Sequence, residues 1–179
     1  KMMMAGGPAA EQAREALRAV ESRVRAVADV HAAIQVDHDV AQIDLLTLFN
    51  RLVLSTRKSA ELAGGAMIFN HPTEVIRLKS DTAIALSLML NELLTNAIKY
   101  GAPTEDAPVT LDLEIDEGEE LRIVVANADL NTSEASLDID SSGTGERLVQ
   151  QFAEQIGASV DRSKDGTRVV ARVVMPLTT

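Results

Sequence analysis

A chain of 179 residues, 46% of them apolar, is long enough for one sizeable core and reads as folded rather than disordered. A net charge of -10 argues against a nucleic-acid backbone or an anionic membrane surface as the main partner, since both call for clustered Lys and Arg. With no cysteine there is no disulfide, thiolate zinc site or cysteine nucleophile, and with no apolar run near ~18–20 residues there is no membrane span. No signal-peptide pattern appears, and the composition agrees with a reducing cytoplasm.

The opening KMMMAGGP reads as the end of a helix breaking at Gly6, Gly7 and Pro8, as in a fragment with material missing upstream. From Ala10 to Ile34 the series Ala10, Ala13, Leu17, Val20, Val24, Val27, His31, Ile34 advances by threes and fours, the seam of a helix packed lengthwise on another helix. Glu11, Arg14, Glu15, Arg18, Glu21, Arg23 and Arg25 form its charged flank. One helix cannot bury its own seam. Its partner is expected from an upstream segment or a second chain, so pairing or self-association through residues 10–34 is expected.

The run VDHDVAQ, residues 36–42, reads as a linker. Asp44 is placed to cap a second helix carrying Leu45, Leu48, Phe49, Leu52 and Val53 and ending at Gly64 and Gly65. AMIF and EVIRL are expected as short strands around His71 and Pro72, and KSDT as the cap of a long helix over about 82–100. Val109, Leu111, Leu113 and Ile115 alternate with Thr110, Asp112, Glu114 and Asp116, a strand with one wet face, and DEGEE turns it into LRIVVA as a β-hairpin. Residues 127–145 are small, polar and aperiodic, the pattern of a long loop. A helix from about Gly145 turns Leu148, Val149, Phe152 and Ile156 inward and ends at Gly157. ASVDR, a Lys164-Asp165-Gly166 turn and TRVVARVVMP supply closing strands. The order predicts an α+β unit with about three helices against a mixed sheet.

The stretch LMLNELLTNAIKYG, residues 88–101, carries the chemistry. At 100° per residue Glu92, Asn96 and Lys99 fall within about 60° of one another, nearly opposite Leu86, Leu90, Leu93, Leu94 and Ala97. A solvated helix face explains such a trio. Yet Leu88 and Met89 continue the same side, and Asn is a poor residue for an exposed helix interior. The alternative is a face turned to a ligand.

LNELLTNAIKYG resembles the N box of the ATPase superfamily that includes gyrase, sensor histidine kinases and the MutL repair proteins, the GHKL or Bergerat-type ATPases. SDTAIALSLML resembles the approach to that box in sensor histidine kinases of the HisKA_2/HWE-related class. EALRAVESRVRAVADVHAAI is similar to the second helix of that class's dimerisation and phosphotransfer hairpin. SGTGERLVQQFAEQIGA resembles its G2 box, and DGTRVVARVVMP its closing hairpin. The resemblance covers nearly the whole chain in order. It implies a partial hairpin over residues 1–36 and, over 43–179, an ATP-binding catalytic domain with a Bergerat-type sandwich.

The resemblance implies ATP and Mg²⁺ as cofactors and a response regulator as partner. It makes Asn96 a magnesium ligand, an oxygen donor suited to a hard cation. Glu92 would orient or deprotonate the attacking group, or help place the metal. Lys99 would meet phosphate as a point charge, with Tyr100 beside it. Gly143 and Gly145 would let backbone N–H groups approach phosphates at a helix start, although plain loop flexibility also accounts for them. Thr167 matches a position on the adenine side, and an ordinary strand residue is its other reading. Residues 128–143 would act as a lid that orders on nucleotide.

The sequence departs from the family after LRIVVA. Where D-x-G-x-G is usual, it has Asn127-Ala128-Asp129-Leu130-Asn131. Asn127 keeps an acceptor for the adenine amino group but loses the charge, and Asp129 is the alternative after a two-residue slip. His31 sits on the seam and is expected packed. His38 and His71 have neither metal-ligand spacing nor a triad. Two functions follow: a histidine kinase catalytic part whose acceptor histidine lies on a helix outside this chain, or a degenerate relative that serves as phosphotransferase or regulator-docking scaffold without binding ATP.

Overall fold

The computed structural model describes residues 42–116, 120–129 and 144–177, together with Ala13, Arg14, Leu17, Val20, Glu21, Val24 and Ala28, all seven helical. Leu17, Val20 and Val24, three residues of the expected seam, are 69%, 52% and 63% exposed, an apolar stripe left open within the chain. The other seam positions, Ala10, Val27, His31 and Ile34, lie outside the described residues; Ala13 is exposed.

Strand begins earlier than the expected linker allows. Residues Gln42–Asp44 (β1), too short to show periodicity in sequence, pair antiparallel with Arg77–Lys79 (β3), the strand expected at 74–78 shifted towards its C-terminal end. Asp44 then caps helix α1 (Leu45–Leu62): its carboxylate accepts from the N–H of Leu46 at 3.2 Å and of Thr47 at 3.3 Å. The helix stops where Gly64 takes a φ of 82°, a left-handed turn that glycine adopts without strain.

Helix α2 runs Ser80–Gly101. It starts two residues before the expected bound. Ser80 and Asp81 do not cap it: Lys79 holds the cap position and makes no side-chain cap bond. Asp81 instead sits in the first turn, where its charge suits the positive helix end.

Among the described residues five strands form a mixed sheet in the order β2-β4-β5-β7-β6, comprising Met67–Asn70, Val109–Ile115, Glu120–Ala128, Arg168–Pro176 and Ser159–Asp165. Only β2 and β4 run parallel; the other neighbours are antiparallel. Leu111 opposite Val125, Leu113 opposite Ile123, and Ile123 opposite Val173 put one apolar row after another on the face under the helices. The other face carries Asp112, Glu114, Arg122 and Arg172, with Arg122 3.4 Å from Asp116 and 3.9 Å from Glu114. α1, α2 and α3 (Thr144–Ile156) cover the apolar face, and Gly157 closes α3 at a φ of 67°. The architecture is the expected α+β sandwich with three helices.

β5 extends through Ala128, so Asn127 belongs to the sheet rather than to a loop starting at 127. Its pairing with Val169 on the neighbouring strand is what holds it there. The small, polar composition of 127–129 hid the end of the strand.

Phe49 is fully buried, its ring 6.4 Å from that of Phe69. Phe49→Ala is expected to cost about 3–5 kcal/mol in urea unfolding with the fold retained, as a truncated core aromatic does.

Candidate functional site

The polar trio of α2 does share a face, and that face goes from buried to open along its length. Glu92 is only 8% exposed, Asn96 is half-buried, and Lys99 and Tyr100 are exposed. The ammonium of Lys99 lies 5.2 Å from the centroid of the Tyr100 ring, a cation–π contact.

Glu92 is buried because α3 starts on top of it. A Cβ added to Gly145 would come 2.9 Å from Glu92 Oε2, so the carboxylate lies close against the glycine backbone and would have to shift its tip to admit a side chain. The carboxylate therefore lies at the N-terminal end of a 13-residue helix, where unsatisfied N–H groups and the dipole favour negative charge. The next residue, Glu146, pairs with Arg162 of β6 at 2.5 Å, both side chains less than a fifth exposed. That pair pins the first turn of α3 to the sheet.

At the other end of α2, Gly101 lies on Asn127. A Cβ there would come 2.6 Å from Asn127 Cβ and 2.7 Å from its Nδ2. Asn127 is 8% exposed, and its Nδ2 donates to the carbonyl of Ala128 at 2.8 Å. Two residues on, the N–H of Asp129 donates to the Thr167 carbonyl at 2.7 Å, and Lys164 Nζ stands 2.7 Å from Asp129 Oδ2. Thr167 thus joins the site through its backbone, with its side chain exposed. Gly143 and residues 130–143 of the expected lid lie outside the described residues.

The fold therefore brings Glu92 to Gly145 and the end of α2 to Asn127, all above the apolar face of the sheet. Sequence reading missed Gly101, Arg162 and Lys164. Val160, Arg162 and Lys164 alternate along one face of β6. Charges at the inward positions of such a strand were the signal available.

Glu92 and Asn96 offer carboxylate and amide oxygens one helical turn apart. Among the described residues no cluster of three or more His, Asp or Glu is able to cage a metal. A carboxylate at a phosphate-compatible helix start, with an amide oxygen one turn along the same helix, suits Mg²⁺, which keeps waters and shares its shell with ligand phosphates. The residues present fit such a group. His71 offers no competing chemistry: its Nδ1 is 2.8 Å from the Pro72 carbonyl and its ring packs on Phe69. His31 and His38 lie outside the described residues.

A mixed five-stranded sheet under three helices, with an acid on the middle helix against a glycine at the start of the next and an amide one turn further along, defines an ATPase-type sandwich. Residues 59–173 match the histidine kinase-like ATPase domain family, and the chain belongs to that family. Blue-light-activated histidine kinase 2 of Erythrobacter litoralis (strain HTCC2594) is 25% identical over 114 residues, covering 63% of this chain and 33% of that protein. The chain thus spans about a third of the length of this curated relative. Among solved structures, the histidine kinase domain of the Erythrobacter litoralis EL346 blue-light activated kinase superposes with a TM-score of 0.77 at 20% identity, over 89% of this chain and 75% of that one. Full-length ShkA in complex with AMPPNP gives 0.62 at 17% identity, over 77% and 31%. Among the described residues no helix is long and apolar enough to cross a membrane.

Gly101→Ala is expected to cost about 1–3 kcal/mol in denaturant unfolding, because the new methyl meets the root of Asn127 rather than the tip of a pliable side chain. Arg162→Ala is expected to cost about 1.5–3 kcal/mol in the same measurement, by leaving the carboxylate of Glu146 largely buried without its cation.

Proposed function

We propose that this chain is the catalytic part of a two-component sensor histidine kinase. It binds Mg-ATP and transfers the γ-phosphoryl group to a histidine on a helix outside this chain, for relay to a response regulator in the cytoplasm. The exposed stripe of Leu17, Val20 and Val24 supports the further reading of residues 1–36 as one helix of the dimerisation and phosphotransfer hairpin, with 43–179 as the ATP-binding domain.

The observation that carries the reading is the meeting of Glu92 with the start of α3 at Gly145, with Asn96 one turn further along the same helix. When bound, the magnesium ion neutralises phosphate charge. The chain's own residues do the rest by position. Asn96 presents an oxygen to the cation; Glu92 holds a negative charge beside it, placed either to orient the attacking group or to help hold the metal. Lys99, at the open end of the face, draws in phosphate, and Tyr100 backs its ammonium. Gly145 leaves the backbone of the first turn of α3 approachable. Phosphoryl transfer asks for this kind of positioning and charge balance rather than a covalent nucleophile.

One observation favours the second reading, a degenerate phosphotransferase or regulator-docking scaffold. Asn127 has its amide tied to Ala128, and the following residues lack the glycines that would let the backbone near a nucleotide base.

Calorimetric titration of Mg-ATP separates the two. The kinase reading expects binding that Asn96→Ala weakens by about two orders of magnitude or more, on the scale of a lost metal ligand or its orienting partner. Circular dichroism of the variant should match the parent. Absence of binding by the parent protein at millimolar ATP would overturn the kinase reading in favour of the scaffold.

A further inference from the structure

The third residue of α3 is an acid held away from its own helix end. Glu146 follows Thr144 and Gly145, and its Oε2 lies 2.5 Å from Nη1 of Arg162 on β6, with 18% and 17% of the two side chains exposed. A glutamate at the third position of a helix has the reach to fold back and accept from the free N–H groups at the helix start. Here the guanidinium draws that carboxylate towards the sheet instead. Lys164, the next cation on the same strand face, is engaged by Asp129 at 2.7 Å, so it is Arg162 that meets Glu146.

We propose that Arg162 is a positioning residue that keeps Glu146 from capping α3 and so leaves the start of that helix open to the phosphates of a nucleotide. This rests on the reading that the start of α3 receives those phosphates. A released Glu146 opposes an incoming phosphate twice. It occupies N–H groups that the phosphate needs, and it sets like charge against it. In the pair with Arg162 the carboxylate oxygens are turned to guanidinium donors and the charge is balanced. A helix start carries four free N–H groups, and the two oxygens of Glu92 beside Gly145 do not account for all of them. Donors therefore remain for which Glu146 and a phosphate compete.

The test is calorimetric titration of Mg-ATP into wild type, Arg162→Ala, Glu146→Ala and the double variant. Either single change breaks the pair and unpins the first turn of α3, so a purely structural role weakens binding equally in both. The proposal expects an asymmetry. Arg162→Ala should bind about tenfold more weakly, the size of a strong cap interaction, while Glu146→Ala loses no affinity. The double variant should return to within about threefold of wild type, because the competing carboxylate is gone. Unchanged affinity in Arg162→Ala, equal losses in the two single variants, or a double variant no tighter than Arg162→Ala overturns the assignment to Arg162 and leaves the nucleotide reading standing. Absence of binding by wild type at millimolar ATP removes the nucleotide reading, and this inference with it. Should Arg162→Ala fail to fold by circular dichroism, Arg162→Gln keeps much of the stem without the charge. The same loss is expected from it, and unchanged affinity counts against the proposal.

Discussion

Helix α2 has to be core and candidate site at once, and the rest of the structure follows from how it manages both. Twelve of its 22 residues are buried, including Ala83, Leu86, Leu90, Leu94 and Ala97, which lie under the other helices and over the sheet. Met89 and Ala85, on a different side, are buried as well. An amphipathic helix with one apolar stripe would leave that second side wet. Here α3, anchored by Val149 and Ala153, helps to cover it and takes Glu92 into the interior with the apolar residues. Burying a carboxylate is costly unless dipoles or hydrogen bonds replace its water. The start of α3 is such a dipole, and the carboxylate lies close against its backbone at Gly145.

The charges around this point are arranged in neighbouring pairs. β6 turns Arg162 and Lys164 towards the helices, and each finds an acid: Glu146 at the start of α3 and Asp129 just past the end of β5. These two contacts tie the edge of the sheet to the segments that enter and leave residues 130–143. They do so with partly buried pairs, which are costly to break one partner at a time. A chain with a net charge of -10 overall thus keeps a locally balanced floor beneath its candidate site.

Period explains which parts were legible in the sequence. Long elements with a clean repeat, such as α1 with its Asp44 cap and the alternating β4, came through with accurate bounds, because burial and capping act on neighbouring residues. β1 did not, being three residues long and held by a partner about 35 residues away, and β3 came through only in part, since EVIRL at 74–78 was expected as a strand and Arg77–Lys79 forms it. The start of α2 was misplaced because Ser80 and Asp81 have the right chemistry for a cap but lie inside the first turn. The polar face of α2 was readable as a set of residues. Its burial was not, since only α3 decides whether Glu92 meets water. Gly101, Arg162 and Lys164 belong to the same class of omission: each matters for what lies across from it, not for its neighbours in sequence.

The most eroded part of the family pattern is internally consistent in this chain. The amide nitrogen of Asn127, the residue the resemblance sets opposite the family's acid unless Asp129 takes that place, donates to the Ala128 carbonyl while Gly101 closes over the side chain. A carboxylate in that position would set an oxygen against the Ala128 carbonyl oxygen, two acceptors at hydrogen-bond range with no proton between them. It would also have to be desolvated under Gly101, where the residue is only 8% exposed. Replacing Asn127 by the family residue alone would therefore destabilise the end of β5 instead of rebuilding a base contact. The conformation of Asn127 is coupled to the geometry of 128 and 101, so the run is to be weighed as a unit: Asn127 forms a packed strand end bonded to its own backbone neighbour, and the carboxylate that follows it, Asp129, is held by Lys164.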